Sequence, residues 1–167
     1  LVEAEVEPLT SYNVLRAQRE FAGGRRSIGV LATGMHRDLR DPDLRDQLNQ
    51  DAFSLGVDGW TFLDKDKAWV ITGWTGATHV RGSRARITSL QQNSTHYFQR
   101  PGASHVSVDD AATSLDGWAG RMSLNKQHGD WQMNAAVGAI SPGFETNDMG
   151  FLSRTDVING HLVGTRR

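Results

Sequence analysis

Cysteine is absent, which removes disulfide frameworks, thiolate nucleophiles and thiolate metal ligands at once. Long apolar runs are also missing. Stretches such as Ala68 to Ile71 span only a few residues, far from the roughly 20 that a transmembrane helix needs. That excludes a helical membrane protein and leaves a membrane β-barrel open. Charge of one sign is lacking too: 18 basic groups face 19 acidic ones, for a net charge of -1. The balance provides no electrostatic case for nucleic acid or for a uniformly anionic surface as partner. With only 4 prolines, 38% hydrophobic and 22% charged residues, the composition is that of an ordered chain rather than a disordered one.

Glycine, by contrast, is plentiful at 18 residues and is spread through apolar segments, where a helix would lose about 1 kcal/mol at each. Those segments follow a two-residue period. Phe53, Leu55, Val57 and Leu63 share one face, opposite Ala52, Ser54, Gly56 and Asp58. Trp118, Gly120, Met122 and Leu124 alternate with Ala119, Arg121, Ser123 and Asn125. Trp131, Met133, Ala135, Val137 and Ala139 alternate with Gln132, Asn134, Ala136 and Gly138. On residues 26–36, Ile28, Val30, Ala32 and Gly34 form one face and Leu31 and Met35 lie opposite. This patterning predicts strands near residues 11–21, 26–36, 52–63, 68–80, 115–126, 131–140 and 157–167, each with an apolar and a polar or small side.

Connection lengths alternate. Ala22 to Arg25, Asp64 to Lys67 and Gln127 to Asp130 read as tight hairpin turns, whereas Arg37 to Asp51, Arg81 to Ser114 and Ser141 to Asp156 are long and polar. The expectation is an all-β, antiparallel, up-and-down chain with short turns at one end and long loops at the other, part of an outer-membrane β-barrel. Trp60, Phe62, Trp69 and Trp131 lie near short turns, where an interfacial aromatic girdle belongs; Trp74, mid-strand, does not. Seven strands are odd where single-chain bacterial barrels have even counts. Together with a start at Leu1 and an end inside a strand, this predicts a single segment, residues 1–167, of a larger barrel.

No constellation points to chemistry. Ser123 and Lys126 have the spacing of a serine–lysine pair, but a strand sets them on opposite faces. Asp41, Asp43 and Asp46 interleave with Arg37, Arg40 and Arg45, a pattern of ion pairs or of a capped helical turn near Pro42 rather than of calcium ligands. The six histidines lack paired ligand spacing. No phosphate loop, nucleophile elbow or dinucleotide fingerprint occurs. The sequence therefore predicts no catalytic residue, cofactor or metal. Asp58, Arg121, Gln132 and Asn134 are expected to face a polar lumen, with strand arginines such as Arg16, Arg19, Arg121 and Arg166 pairing there with acids such as Glu20 or Asp58. Tyr97, Phe98, Arg100 and Phe144 are expected in extracellular loops. The segment Thr95 to His105 has residues able to stack a sugar ring, although packing of the loop on itself is the simpler account.

Several runs are familiar. Arg16 to Gly24, Ser27-Ile28-Gly29, His36 to Leu39, Tyr97 to Pro101 and above all Ser141 to Arg154 resemble the C-terminal region of a family of large bacterial proteins of unknown function. In that family an N-terminal carbohydrate-binding domain of xylanase type precedes an outer-membrane β-barrel. The resemblance runs from about Pro8 to Arg167. It implies an outer-membrane location, the lipid bilayer as partner, a parent longer than this chain, and poly- or oligosaccharide as a ligand class. The expected role is a non-enzymatic pore, transporter or surface platform. The competing expectation is a soluble all-β carbohydrate-binding or glycan-processing module, which would bury its apolar face against a second sheet.

Overall fold

A computed structural model describes residues 5–166. Seven strands form one antiparallel sheet in chain order: β1 (Leu9–Phe21), β2 (Arg26–Asp38), β3 (Asp51–Phe62), β4 (Trp69–Arg81), β5 (Ser114–Lys126), β6 (Trp131–Ile140) and β7 (Val157–Arg166). This is the expected up-and-down order, and the sheet is not closed: β1 and β7 each pair on one side only among the described residues. Two helices interrupt the long connections, α1 (Pro42–Gln47) and α2 (Arg84–Gln92). Asp41 caps α1 by accepting a hydrogen bond from the Asp43 amide at 2.8 Å, so its carboxylate serves a helix start. No periodicity announced α2, which Ser83 caps by accepting from the Arg86 amide at 3.1 Å.

The register carries the alternation across every strand boundary. In one row, Gln18, Gly29, Asp58, Trp74, Arg121, Gly138 and Asn159 are successive cross-strand partners, and directly opposed residues share a face. On the other face the row through Ala17 continues as Val30, Val57, Thr75, Gly120, Ala139 and Ile158 on β2 to β7. One side of the sheet is thus polar at its centre and the other apolar. The row from Phe21, the last residue of β1, ends at Leu162, four residues short of the end of β7. Successive hairpins therefore step along the strand direction.

Nothing among the described residues packs on the apolar face: Leu55, Met122 and Leu162 are 56, 58 and 74% exposed. The buried core lies on the polar side, at the long-loop end. There Met35, Ala52, Val80 and Leu115 of the strands meet Ile87 and Leu90 of α2, with Phe98, Ala112 and Met149 packed around them. Leu31 and Met35, the apolar exceptions on β2, fall on this side, and Met35 is fully covered. The long loops fold back over the polar face.

Truncating Ile87 to Ala should weaken this lid by about 2–4 kcal/mol. Amide hydrogen exchange is expected to accelerate in α2 and leave β3 and β4 protected; uniform acceleration would mean that lid and sheet open as one unit.

Candidate functional site

The polar face is organised by long side chains lying across the sheet. Arg16 on β1 reaches over β2 to grip Asp58 on β3 through both guanidinium ends, one bond being Nη2 to Oδ1 at 2.7 Å. Gly29 sits directly beneath; a Cβ there would come within 2.6 Å of the Arg16 guanidinium and 2.9 Å of the Asp58 carboxylate. Arg121 on β5 reaches over β6 in the same way, donating to Asn159 Oδ1 at 3.1 Å and lying 3.2 Å from His161 on β7. Asn134 on β6 bonds both Asn125 and His161, and Gln132 donates to the Gln127 carbonyl at 3.1 Å. The four residues expected to face a lumen therefore do share one face. Of the strand arginines, Arg16 and Arg121 join them, while Arg19 and Arg166 lie on the apolar face, where strand parity puts odd positions of β1 and even positions of β7.

The aromatic residues divide in the same way. Trp69 and Trp131 end their strands on the apolar side, but Trp60 and Phe62 fall on the polar side by parity, and the Trp60 indole donates to the Gly24 carbonyl at 3.2 Å. Trp74 lies mid-strand on the polar face, 43% exposed. Beside it a cavity of about 330 Å³ opens between Leu31, Thr33 and Ser54 below and Thr146 and Met149 above. The Thr33 and Ser54 hydroxyls lie 2.6 Å apart. An exposed indole with hydroxyls beside it offers an apolar plane with polar edges.

Two polar clamps hold the loops above this cavity. Asp148 receives Arg37 Nη1 at 2.6 Å and Asn49 Nδ2 at 2.6 Å, and Asn49 in turn accepts from Arg86 Nε at 2.8 Å. This links β2, α2 and the first and last long loops through largely buried groups. In the second clamp His96 is enclosed, with Nδ1 2.7 Å from the Pro142 carbonyl and Nε2 2.9 Å from Glu145. Burial acts to raise the Glu145 carboxyl. Hydrogen bonds from His96 and the Asn147 amide, with the electrostatic attraction of the neighbouring His96 ring and Arg86 guanidinium, outweigh it and hold the group below the usual carboxylate range. Close backbone approach completes the seam: a Cβ on Gly117 would lie 2.0 Å from the Phe144 nitrogen, and one on Gly143 2.2 Å from the Asp116 carbonyl oxygen.

The residues expected to make loop contacts are accordingly absorbed to different degrees. Phe144 is buried in the seam and lines the cavity beside Trp74. Phe98 packs on the core and meets the His96 ring edge to face at 6.1 Å. Arg100 is paired with Asp156, which also takes His105 at 2.8 Å, and Tyr97 alone remains widely exposed. None of the clamp partners could be matched from sequence, since His96 and Glu145 are 49 positions apart and Arg37 and Asp148 are 111 apart.

The family model described as "Domain of unknown function (DUF5916)" matches residues 2–165. The chain belongs to that family. No curated protein and no solved structure matches it. For this DUF5916 chain the match supports a family of unknown function, the coarser part of the resemblance, and the run Ser141 to Arg154 holds the Gly143 contact and both acidic clamp residues.

Two outcomes follow for the lid. Because the Glu145 pKa is depressed in the folded state, its contribution is fully present above the usual carboxylate range and is lost as pH falls through the lowered value. Amides of residues 145–150 should stay protected near neutrality and lose protection below about pH 4. A Glu145→Gln variant should lack that acid step. Separately, Gly117→Ala should lift residues 141–146 off β5, exposing the loop to limited proteolysis while the strands stay intact; an unchanged digestion pattern would show that the seam is loose.

Proposed function

We propose that this chain is a section of the wall of a bacterial outer-membrane β-barrel, with its apolar face toward lipid and its polar face toward the lumen. The short turns would lie at the periplasmic rim and the long loops at the outer rim, folded inward over the passage. The role is non-enzymatic, as a pore, transporter or surface platform. Its solute-facing groups are Asp58, Arg121, Gln132, Asn134 and the Trp74 cavity.

The observation that carries this reading is the apolar face, continuous over all seven strands and left uncovered among the described residues. A water-facing sheet would leave that area costly, at about 25 cal/mol per Å², whereas lipid accepts it. Two dimensions support the reading. Arg26 and His36 bound the apolar band of β2, about 33 Å apart along an extended strand. At the roughly 40° tilt of barrel strands that is about 25 Å of height, close to the apolar band of outer-membrane barrels. The four-residue step between the two edges of the sheet is the kind of stagger that closing a tilted barrel requires. An open sheet of seven strands then leaves both edges to be paired by further strands. A link to poly- or oligosaccharide handling belongs to the same proposal, supported by the exposed Trp74 ring as a stacking plane.

The full-length protein should fractionate with outer membranes, resist carbonate extraction and migrate differently on gels when heated. Val57→Arg or Val137→Arg should cost about 2–4 kcal/mol in refolding titrations if these residues lie near the bilayer midplane. A protein that stays soluble while both Arg variants remain destabilising would instead establish a soluble all-β module with this face buried against other structure, and unchanged stability in both variants would show the face open to water and contradict both readings.

A further inference from the structure

The net charge of -1 conceals a segregation between the two ends of the apolar face. At the short-turn end this face carries Arg19 and Arg26 on β1 and β2, Lys126 on β5 and Arg166 on β7, and no acidic residue on any strand. Among the described residues none of the four has a carboxylate within 4 Å. The long-loop end of the same face differs. Its acids Asp38, Asp51 and Asp116 are each matched, by Arg40 at 2.9 Å, by His36 at 2.6 Å and Arg81 at 2.7 Å, and by His79 at 2.7 Å.

Three of the four unmatched cations lie over aromatic rings instead: Arg19 5.2 Å from the Phe21 centroid, Lys126 5.8 Å from Trp69 and Arg166 5.7 Å from Trp131. A cation–π contact holds the charge beside the ring without neutralising it. Aromatic rings favour the depth where hydrocarbon meets headgroup. A cation anchored to such a ring at the last positions of a strand is therefore held at headgroup level, with its N–H donors unspent. Of the nearby turn acids, Asp64 accepts from the Ala68 and Trp69 amides at 3.1 and 2.9 Å, which leaves Asp66 and Asp130 in the turns beyond the strands.

We propose that the short-turn rim of the apolar face is a docking belt for the phosphodiester headgroups of anionic phospholipids, formed by Arg19, Arg26, Lys126 and Arg166. This rests on the barrel-wall reading. Charge complementarity selects the occupant, since a row of unpaired guanidinium and ammonium groups bordering an apolar band matches a phosphate layer bordering hydrocarbon. The long-loop rim, with its acids and paired cations, lacks that match. The belt would also orient the wall, giving the leaflet at the short turns the tighter grip.

The test is to fold the full-length protein into vesicles and measure the association of spin-labelled phosphatidylglycerol relative to phosphatidylcholine. A severalfold preference for phosphatidylglycerol is expected at 50 mM salt, collapsing toward unity at 500 mM. It should also collapse when Arg19, Arg26, Lys126 and Arg166 are all changed to Gln, while a control with Arg40→Gln, Arg84→Gln and Arg154→Gln keeps it. Equal association in the native protein, or a preference that survives the four Gln substitutions, would overturn the belt and leave the wall reading standing. Failure of the full-length protein to insert into the vesicles would overturn both.

Discussion

Seven strands can present one apolar side only if every hairpin keeps the same register parity, because a slip of one residue moves a strand's whole set of side chains to the opposite face. Each of the six pairings here preserves that parity. The apolar stripes of single strands thereby fuse into one surface, and the polar stripes into another. Arg16 can reach Asp58 across β2 only because both fall on the same side and Gly29 lies between them. The same parity brings Arg121, Asn134, Asn159 and His161 into one network.

With one side of the sheet apolar and open, the buried core has to form on the other. It does so only at the long-loop end, where the polar face turns apolar through Met35, Ala52, Val80 and Leu115. Loops of this length would ordinarily run over a surface with their polar groups solvated. Here Ile87 and Leu90 anchor them by apolar burial, while the Asp148 and Glu145 clamps satisfy polar groups that burial would otherwise strand. Asp148 and Glu145 come from one short run, so the last long loop locks the two earlier connections against the sheet. The lock sits above the polar face beside Trp74.

Much of the sheet was legible in the sequence because the two-residue period is a local signal: Phe53 to Val57 and Trp131 to Ala139 declare their faces without reference to anything else. Turn length was equally local, and so was the Asp41-Pro42 start of α1. The sidedness of Trp60, Phe62, Arg19 and Arg166 was also written in parity, but it becomes readable only once the strand ends are known. The lid was not legible. Helix α2 has a weak apolar face, with Ile87 and Leu90 set in a polar stretch, and its partners come from four different strands. The His96–Glu145 and Arg37–Asp148 pairings depend on chain closure over long separations, for which a single sequence holds no spacing rule. Phe144 looked like an exposed loop aromatic because nothing local marks Gly117 as its seat.

The central claim is that the two faces of this sheet meet two different media. Residues 1–167 have no cysteine, so single cysteines can be placed along β3 and β6 and labelled with a nitroxide in the full-length protein in vesicles, after any cysteine outside residues 1–167 has been replaced. Positions 55, 57, 135 and 137 should then collide with oxygen dissolved in lipid, and positions 56, 58, 134 and 136 with a water-soluble relaxation agent. The two accessibilities should run out of phase with a period of two residues. Water-soluble agent reaching both sets alike, or low accessibility to both reagents at positions 55, 57, 135 and 137, would contradict the account.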